Sequence, residues 1–144
     1  MTAAAAVPAA VVFTWLGMVL AISFLEAPLK FRAPGVTVRI GLGIGRLVFR
    51  ALNAVEALFG AVLIVAAVVA ATTALSAGAV VAGAVAIAVL VAQLALVRPW
   101  LNRRSDRVLA GEDAPRSRTH LWYVALELVK VAALLVTGIL LLAG

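Results

Sequence analysis

Two long stretches of this chain carry almost no charge, and they restrict it to a membrane-spanning helical architecture. Residues 1–25 contain no charged side chain, and residues 51–97 contain only Glu56. Because an apolar helix needs about 20 residues to cross a bilayer, residues 51–97 suit two spans joined by a tight turn. The most polar stretch inside that run, residues 72–78, is the predicted turn.

The amino-acid composition argues against a soluble domain. Hydrophobic residues make up 66% of the chain and charged residues 12%, and that charged share is about half of what a soluble domain carries. With no Cys and a single His, we expect no thiolate or histidine metal centre and no cofactor. The net charge of +6 does not indicate a nucleic-acid partner, because the basic residues flank apolar segments and set membrane orientation there.

The order of apolar and charged segments predicts an all-α fold, with residues 1–144 forming one four-transmembrane-helix bundle. Glu26 and Arg32 close the first apolar segment. Arg98 precedes Pro99 and closes the third, because proline disfavours helical geometry in the residue before it. We predict helices over residues 8–29, 43–71, 79–97 and 119–142, and loops over residues 30–42 and 98–118.

Nearly all of the positive charge lies on one side of the predicted bundle. Apart from Lys130, every Lys and Arg falls in or beside the two long loops, whereas the 72–78 turn and both ends of the chain have none. Cytoplasmic loops are enriched in Lys and Arg, so we predict cytoplasmic loops and both termini outside. The same positive face is expected to contact anionic lipid headgroups.

Polar side chains inside the predicted spans are candidates for function, because they are costly within a bilayer. In the last helix His120, Tyr123, Glu127 and Lys130 follow spacings of 3, 4 and 3, which indicates one helical face. The other helices contribute acidic, basic and amide side chains. The candidate ligand-binding residues are therefore Glu56, Glu127, Lys130, Asn53, Arg50, Gln93 and Glu26.

The depth of these side chains predicts one polar layer in the cytoplasmic half of the bundle. At ~1.5 Å per residue, Glu56, Gln93 and Glu127 lie roughly 7–11 Å inside the charged boundary. The layer is either a site for a solute, a proton or a lipid headgroup, or interhelical hydrogen bonding that holds the bundle together. In the second case Glu56 pairs with Arg50 or Lys130.

Short motifs near the helix ends resemble a known membrane family. Residues 27–31 read Ala-Pro-Leu-Lys-Phe, a glycine-rich stretch begins the second helix, and His120 opens the last one. This resembles the four-helix family that includes transmembrane protein 205, with Ala-Pro-x-x-Phe after the first span and a His at the start of the last. The resemblance implies a multi-pass protein of a bacterial cytoplasmic membrane and no particular activity.

A second resemblance rests on Arg50, Asn53 and Glu56. These residues are similar to the Arg, Asn and Glu pattern of the membrane-associated eicosanoid and glutathione (MAPEG) family, whose members also have four helices. The resemblance implies glutathione binding at the interfaces of a trimer. The chain departs from that family by having one residue fewer between Arg and Asn, and its His and Tyr lie in the fourth helix instead of the third.

Three functions from different classes follow. The first is a small integral membrane protein that binds or transports a small solute, an ion or a lipid headgroup through the polar layer. The second is an accessory or assembly subunit of a larger membrane complex, and the third is a MAPEG-like transferase. We favour a role other than catalysis. Four helices are few for alternating access, so we expect a homo-oligomer or a partner membrane protein.

The predicted orientation can be tested with single cysteines in this cysteine-free chain. A membrane-impermeant maleimide added from outside should label Thr73→Cys. Labelling of Thr73→Cys from the cytoplasmic face alone would contradict the orientation.

Overall fold

The computed structural model describes residues 2–70, 75–112 and 118–144. Within them the chain forms no strand, and its four long helices are α1, Ala3–Arg32; α2, Val38–Val69; α3, Ala77–Leu109; and α4, Arg118–Ala143. Each helix is long and apolar enough to cross a membrane. The prediction of an all-α, four-helix chain is confirmed, and by length and composition the protein is a multi-pass membrane protein.

The helices extend further into the charged segments than the sequence predicted. α2 begins at Val38 because the Thr37 hydroxyl caps it by accepting a hydrogen bond of 3.2 Å from the Ile40 amide. The first 12 residues of the predicted second loop, Arg98–Leu109, are helical. Pro99 lies in the first turn of that segment, where a missing N–H is tolerated. The predicted 72–78 turn and 98–118 loop lie partly outside the described residues.

The bundle is centred on α4, which packs against α1 and α3, while α2 packs mainly against α1. Val12 and Trp15 of α1, Ala86 of α3 and Leu134 of α4 are completely buried in this core. The outward faces are apolar, as the exposed side chains of Leu47 and Val68 illustrate. In lipid, close packing and interhelical hydrogen bonds hold helices together, so small and polar residues define the interior.

Two π-helical turns interrupt the α-helical geometry at the charged end of the bundle. They span Leu20–Glu26 in α1 and Gln93–Val97 in α3. A π turn holds an extra residue and rotates the side chains that follow it, and such turns are frequent at functional sites. Here they carry Ser23 and Gln93, both of which bond to residues from other helices.

The contact between α1 and α4 at the charge-free end depends on a glycine. A Cβ on Gly138 would lie 2.6 Å from the nearest Phe13 ring carbon, whereas one on Gly17 would meet nothing within 4 Å. We expect Gly138→Ala to lower the unfolding free energy by about 1 kcal/mol because it overpacks this contact. Gly17→Ala should be neutral or stabilising. Thermal unfolding of the purified variants in detergent measures both, and equal stabilities would argue against this contact.

Candidate functional site

A single lysine lies at the centre of the polar residues inside the bundle. The Lys130 ammonium is 2.5 Å from Glu56 Oε2 and 2.6 Å from Glu127 Oε1, and it donates a hydrogen bond of 2.8 Å to Gln93 Oε1. All four residues are at most 1% exposed. Because the bilayer interior has no water to replace these acceptors, this arrangement holds α2, α3 and α4 in one register.

Helix α1 completes the arrangement through two hydrogen-bond donors. The Trp15 indole N–H donates to Glu56 Oε2 at 2.8 Å, and the Ser23 hydroxyl donates to Glu127 Oε2 at 2.9 Å. Each carboxylate therefore receives one neutral donor from α1 in addition to the shared ammonium. We call this set the buried polar cluster, and its members are Trp15, Ser23, Glu56, Gln93, Glu127 and Lys130.

The charges of the buried polar cluster do not balance if every group is ionised. Two carboxylates, Glu56 and Glu127, face one ammonium, and Glu56 Oε1 is a buried oxygen with no hydrogen-bond partner among the described residues. Buried charges are stable when they are paired and fully hydrogen-bonded. The cluster thus has one acidic group more than its lysine can neutralise.

A cavity of about 380 Å³ opens between the helices at the charged end of the molecule. Its lining combines apolar side chains with basic ones, and Ser23 and Glu127 of the buried polar cluster also line it. The basic and imidazole side chains that line it are Lys30, Arg46, Arg98, Arg104 and His120. A concave and mostly apolar cavity with a few convergent polar groups is the usual form of a small-molecule site.

Arg98 and Lys30 both place positive charge near one aromatic ring in this cavity. The Arg98 guanidinium lies 5.1 Å from the Phe49 ring centroid and 4.8 Å from that of Tyr123, while the Lys30 ammonium lies 5.8 Å from the Phe49 centroid. Arg98 donates a hydrogen bond of 3.0 Å to the Tyr123 hydroxyl. Its Nε atom is buried and, within the described residues, has no hydrogen-bond acceptor.

An ion pair between the side chains of Arg46 and Asp106 crosses from α2 to the charged extension of α3 beside this cavity. Both side chains are largely exposed, at 42% and 59%. Exposed pairs of this kind contribute at most about 1 kcal/mol. The pair therefore shapes the rim of the cavity without closing it firmly.

The structure brings together four of the seven residues predicted from the sequence. Glu56, Gln93, Glu127 and Lys130 meet in the buried polar cluster, and Glu56 pairs with Lys130 and not with Arg50.

The other three predicted residues lie apart from this centre. Arg50 is exposed and Asn53 is half-buried. Glu26 is 3.5 Å from the Lys30 ammonium at the cavity end of α1. Each step of three residues falls about 60° short of a full helical turn. Arg50 therefore points about 120° away from Glu56, although the spacing suggested a shared face.

Sequence reasoning missed Trp15 and Arg98 as contributors to this region, and it placed Tyr123 on the polar face of the last helix without assigning it a role. Trp15 did give a signal, because an indole N–H deep inside an apolar helix requires an acceptor from another helix. Arg98 was interpreted as a helix terminator, whereas the helical continuation through Pro99 places its guanidinium against Tyr123.

Comparison of the chain with protein-family models, curated proteins and solved structures gave no match.

The role of Lys130 in stability can be tested by removing its charge. Lys130→Met leaves two buried carboxylates without a cation, so we expect it to cost about 3–5 kcal/mol of unfolding free energy. Arg107→Met is the matched control, because the Arg107–Glu112 pair is about 60% exposed and should contribute below about 1 kcal/mol. Denaturation in detergent measures both variants, and similar losses would contradict a structural role for the buried ammonium.

Proposed function

We propose that this protein binds an amphipathic anion, either an acidic lipid headgroup or a small organic anion with an apolar part, in the cavity at its arginine-rich end. The observation that carries the proposal is the placement of two cations, Arg98 and Lys30, at 5.1 and 5.8 Å from the Phe49 ring centroid. The unpartnered Nε of Arg98 within the described residues supplies a donor for a carboxylate or phosphate oxygen. The apolar lining suits an acyl chain or a ring.

The charge distribution supports an orientation in which this cavity opens toward the cytoplasm. The basic residues that line it belong to the two Lys- and Arg-rich segments, and such segments stay on the cytoplasmic side. We therefore propose termini on the opposite side of the membrane, and a bacterial cytoplasmic membrane as the location. The ligand would reach the cavity from the inner leaflet or from the cytoplasm.

Transport of the ligand would require more than one copy of the chain. The proposed cavity lies at one end of a bundle of four helices, beside the buried polar cluster. Alternating access usually depends on two repeats that move against each other. We propose a homo-oligomer for that activity, while binding itself needs one chain.

An accessory or assembly role is the second candidate, and one observation favours it. The Lys130 ammonium donates hydrogen bonds to Glu56 and Gln93 and forms an ion pair with Glu127, as expected if the buried polar cluster only holds helices together. Native mass spectrometry of the protein released from membranes separates the two candidates. A large protein partner supports assembly, whereas a retained small anion supports binding.

Binding can be tested with oleate, which joins a carboxylate to an acyl chain. Oleate should raise the unfolding temperature in neutral detergent. At 100 times its Kd, the unfolding free energy should increase by about 2.7 kcal/mol. Acetate lacks the chain and oleyl alcohol lacks the charge, so neither should act. Arg98→Gln should abolish the effect by removing the cation.

A matched pair of variants locates the site. Ala27→Leu fills the proposed cavity and should weaken the oleate response. Ala67→Leu adds the same volume to the apolar groove at the other end of the bundle and should leave it unchanged. If the oleate response of Arg98→Gln and that of Ala27→Leu both equal the response of the unsubstituted protein, the proposed site is wrong.

A further inference from the structure

The buried polar cluster contains an acid–lysine–acid arrangement that the proposed anion site does not use. Glu56 and Glu127 both contact the Lys130 ammonium, and none of these three residues is more than 1% exposed. With all three ionised, the centre of the bundle would carry one net negative charge. A bilayer interior strongly disfavours an uncompensated charge, so neutrality requires one further positive charge or one proton.

The neighbouring charged groups do not supply that balance. On α3, Arg98 bonds to the Tyr123 hydroxyl, and among the described residues it has no carboxylate within 4.0 Å. On α1, Lys30 is paired with Glu26. His120 of α4 lines the cavity, more than two turns from Lys130 along the helix. From α1 the cluster receives only the neutral donors Trp15 and Ser23.

We propose that the buried polar cluster binds one proton at neutral pH, held jointly by Glu56 and Glu127. A proton from the solvent, relayed by water in the cavity, would bind the Glu127 carboxylate, which becomes a neutral acid, while Lys130 remains an ammonium paired with Glu56. The cluster then carries no net charge. Because the two acids share one lysine, the proton belongs to the pair and not to a single residue.

Glu127 is the point of exchange because it belongs to both parts of the structure. Its carboxyl contacts Lys130 and Ser23 in the buried polar cluster and also lines the cavity. Tyr123 precedes it by one turn of α4, lines the same cavity and accepts a hydrogen bond from Arg98. Polar side chains therefore follow one another from Arg98 in the cavity, past Tyr123 and Glu127, to Lys130 at the centre.

This connection couples the proton to the ligand, a consequence that rests on the proposed function. An anion bound beside Arg98 would place negative charge near Glu127 and favour its protonated form. By linkage, protonation of the cluster would strengthen anion binding to the same extent. Anion binding should accordingly take up a proton from the solvent.

Infrared spectroscopy of protein labelled with ¹³C-glutamate tests the proton directly. At about pH 7 an ordinary glutamate is ionised, so a C=O stretching band of a protonated carboxyl should arise from the cluster. Glu56→Gln and Glu127→Gln should each remove the band, because the remaining acid pairs with Lys130 as a carboxylate. Lys130→Met should raise it about twofold, because both acids become protonated without the lysine.

The matched control is a glutamate that lies outside the buried polar cluster. Glu26→Gln removes a carboxyl that pairs with Lys30 outside the cluster, and it should leave the band unchanged. Absence of the band from the unsubstituted protein would overturn the proposal, and this result does not depend on the folding of any variant. Loss of the band in Glu26→Gln alone would overturn it as well. A band without any oleate response keeps the proton site and sinks the anion site, and an oleate response without the band does the reverse.

Discussion

A buried ammonium needs acceptors from the protein itself, and the arrangement of this bundle follows from that need. Lys130 of α4 reaches Glu56 of α2 and Gln93 of α3, while α1 contributes the Trp15 indole to the same carboxylate. Polar contacts at such depth are hard to replace, because lipid offers no hydrogen bonds. Each helix therefore has one rotation about its axis that allows the hydrogen bonds and ion pairs of the cluster to form. The surrounding small apolar residues pack in that arrangement.

The two halves of the bundle are held together by different contacts, because the buried polar side chains lie in only one layer. Toward the charge-free end, close contacts such as that of Gly138 with Phe13 hold the helices together. Toward the arginine-rich end, π-helical turns in α1 and α3 redirect Ser23 and Gln93 inward, and a cavity remains beyond them. Glu127 lies at the boundary between the two regions. Glu127 lines the cavity and also contacts Lys130, so it connects a change of charge in the cavity to the centre of the bundle.

The residues that could be predicted as part of the site are those whose cost in a membrane is large. Glu56, Glu127, Lys130 and Gln93 are conspicuous inside apolar spans, and a uniform rise along each helix places three of them at one depth. Trp15 and Tyr123 were harder to assign, because an aromatic side chain is compatible with lipid, with an interface and with a core. Arg50 and Asn53 matched a sequence pattern, yet the helix turns too little in three residues to keep them on the face of Glu56.

Hydropathy and charge order are properties of the chain read along one dimension, and they are sufficient to specify four helices, their apolar lengths and a strong charge asymmetry. They do not specify which carboxylate meets which cation, because that depends on the rotation of each helix and on its neighbours. The extension of α3 past Pro99 illustrates the difference. A proline rule predicts an end there, but a π turn places Pro99 in a new first turn, where it is tolerated. That geometry brings Arg98 to Tyr123 and so creates the charged wall of the cavity, which no pattern of residues along the chain reveals.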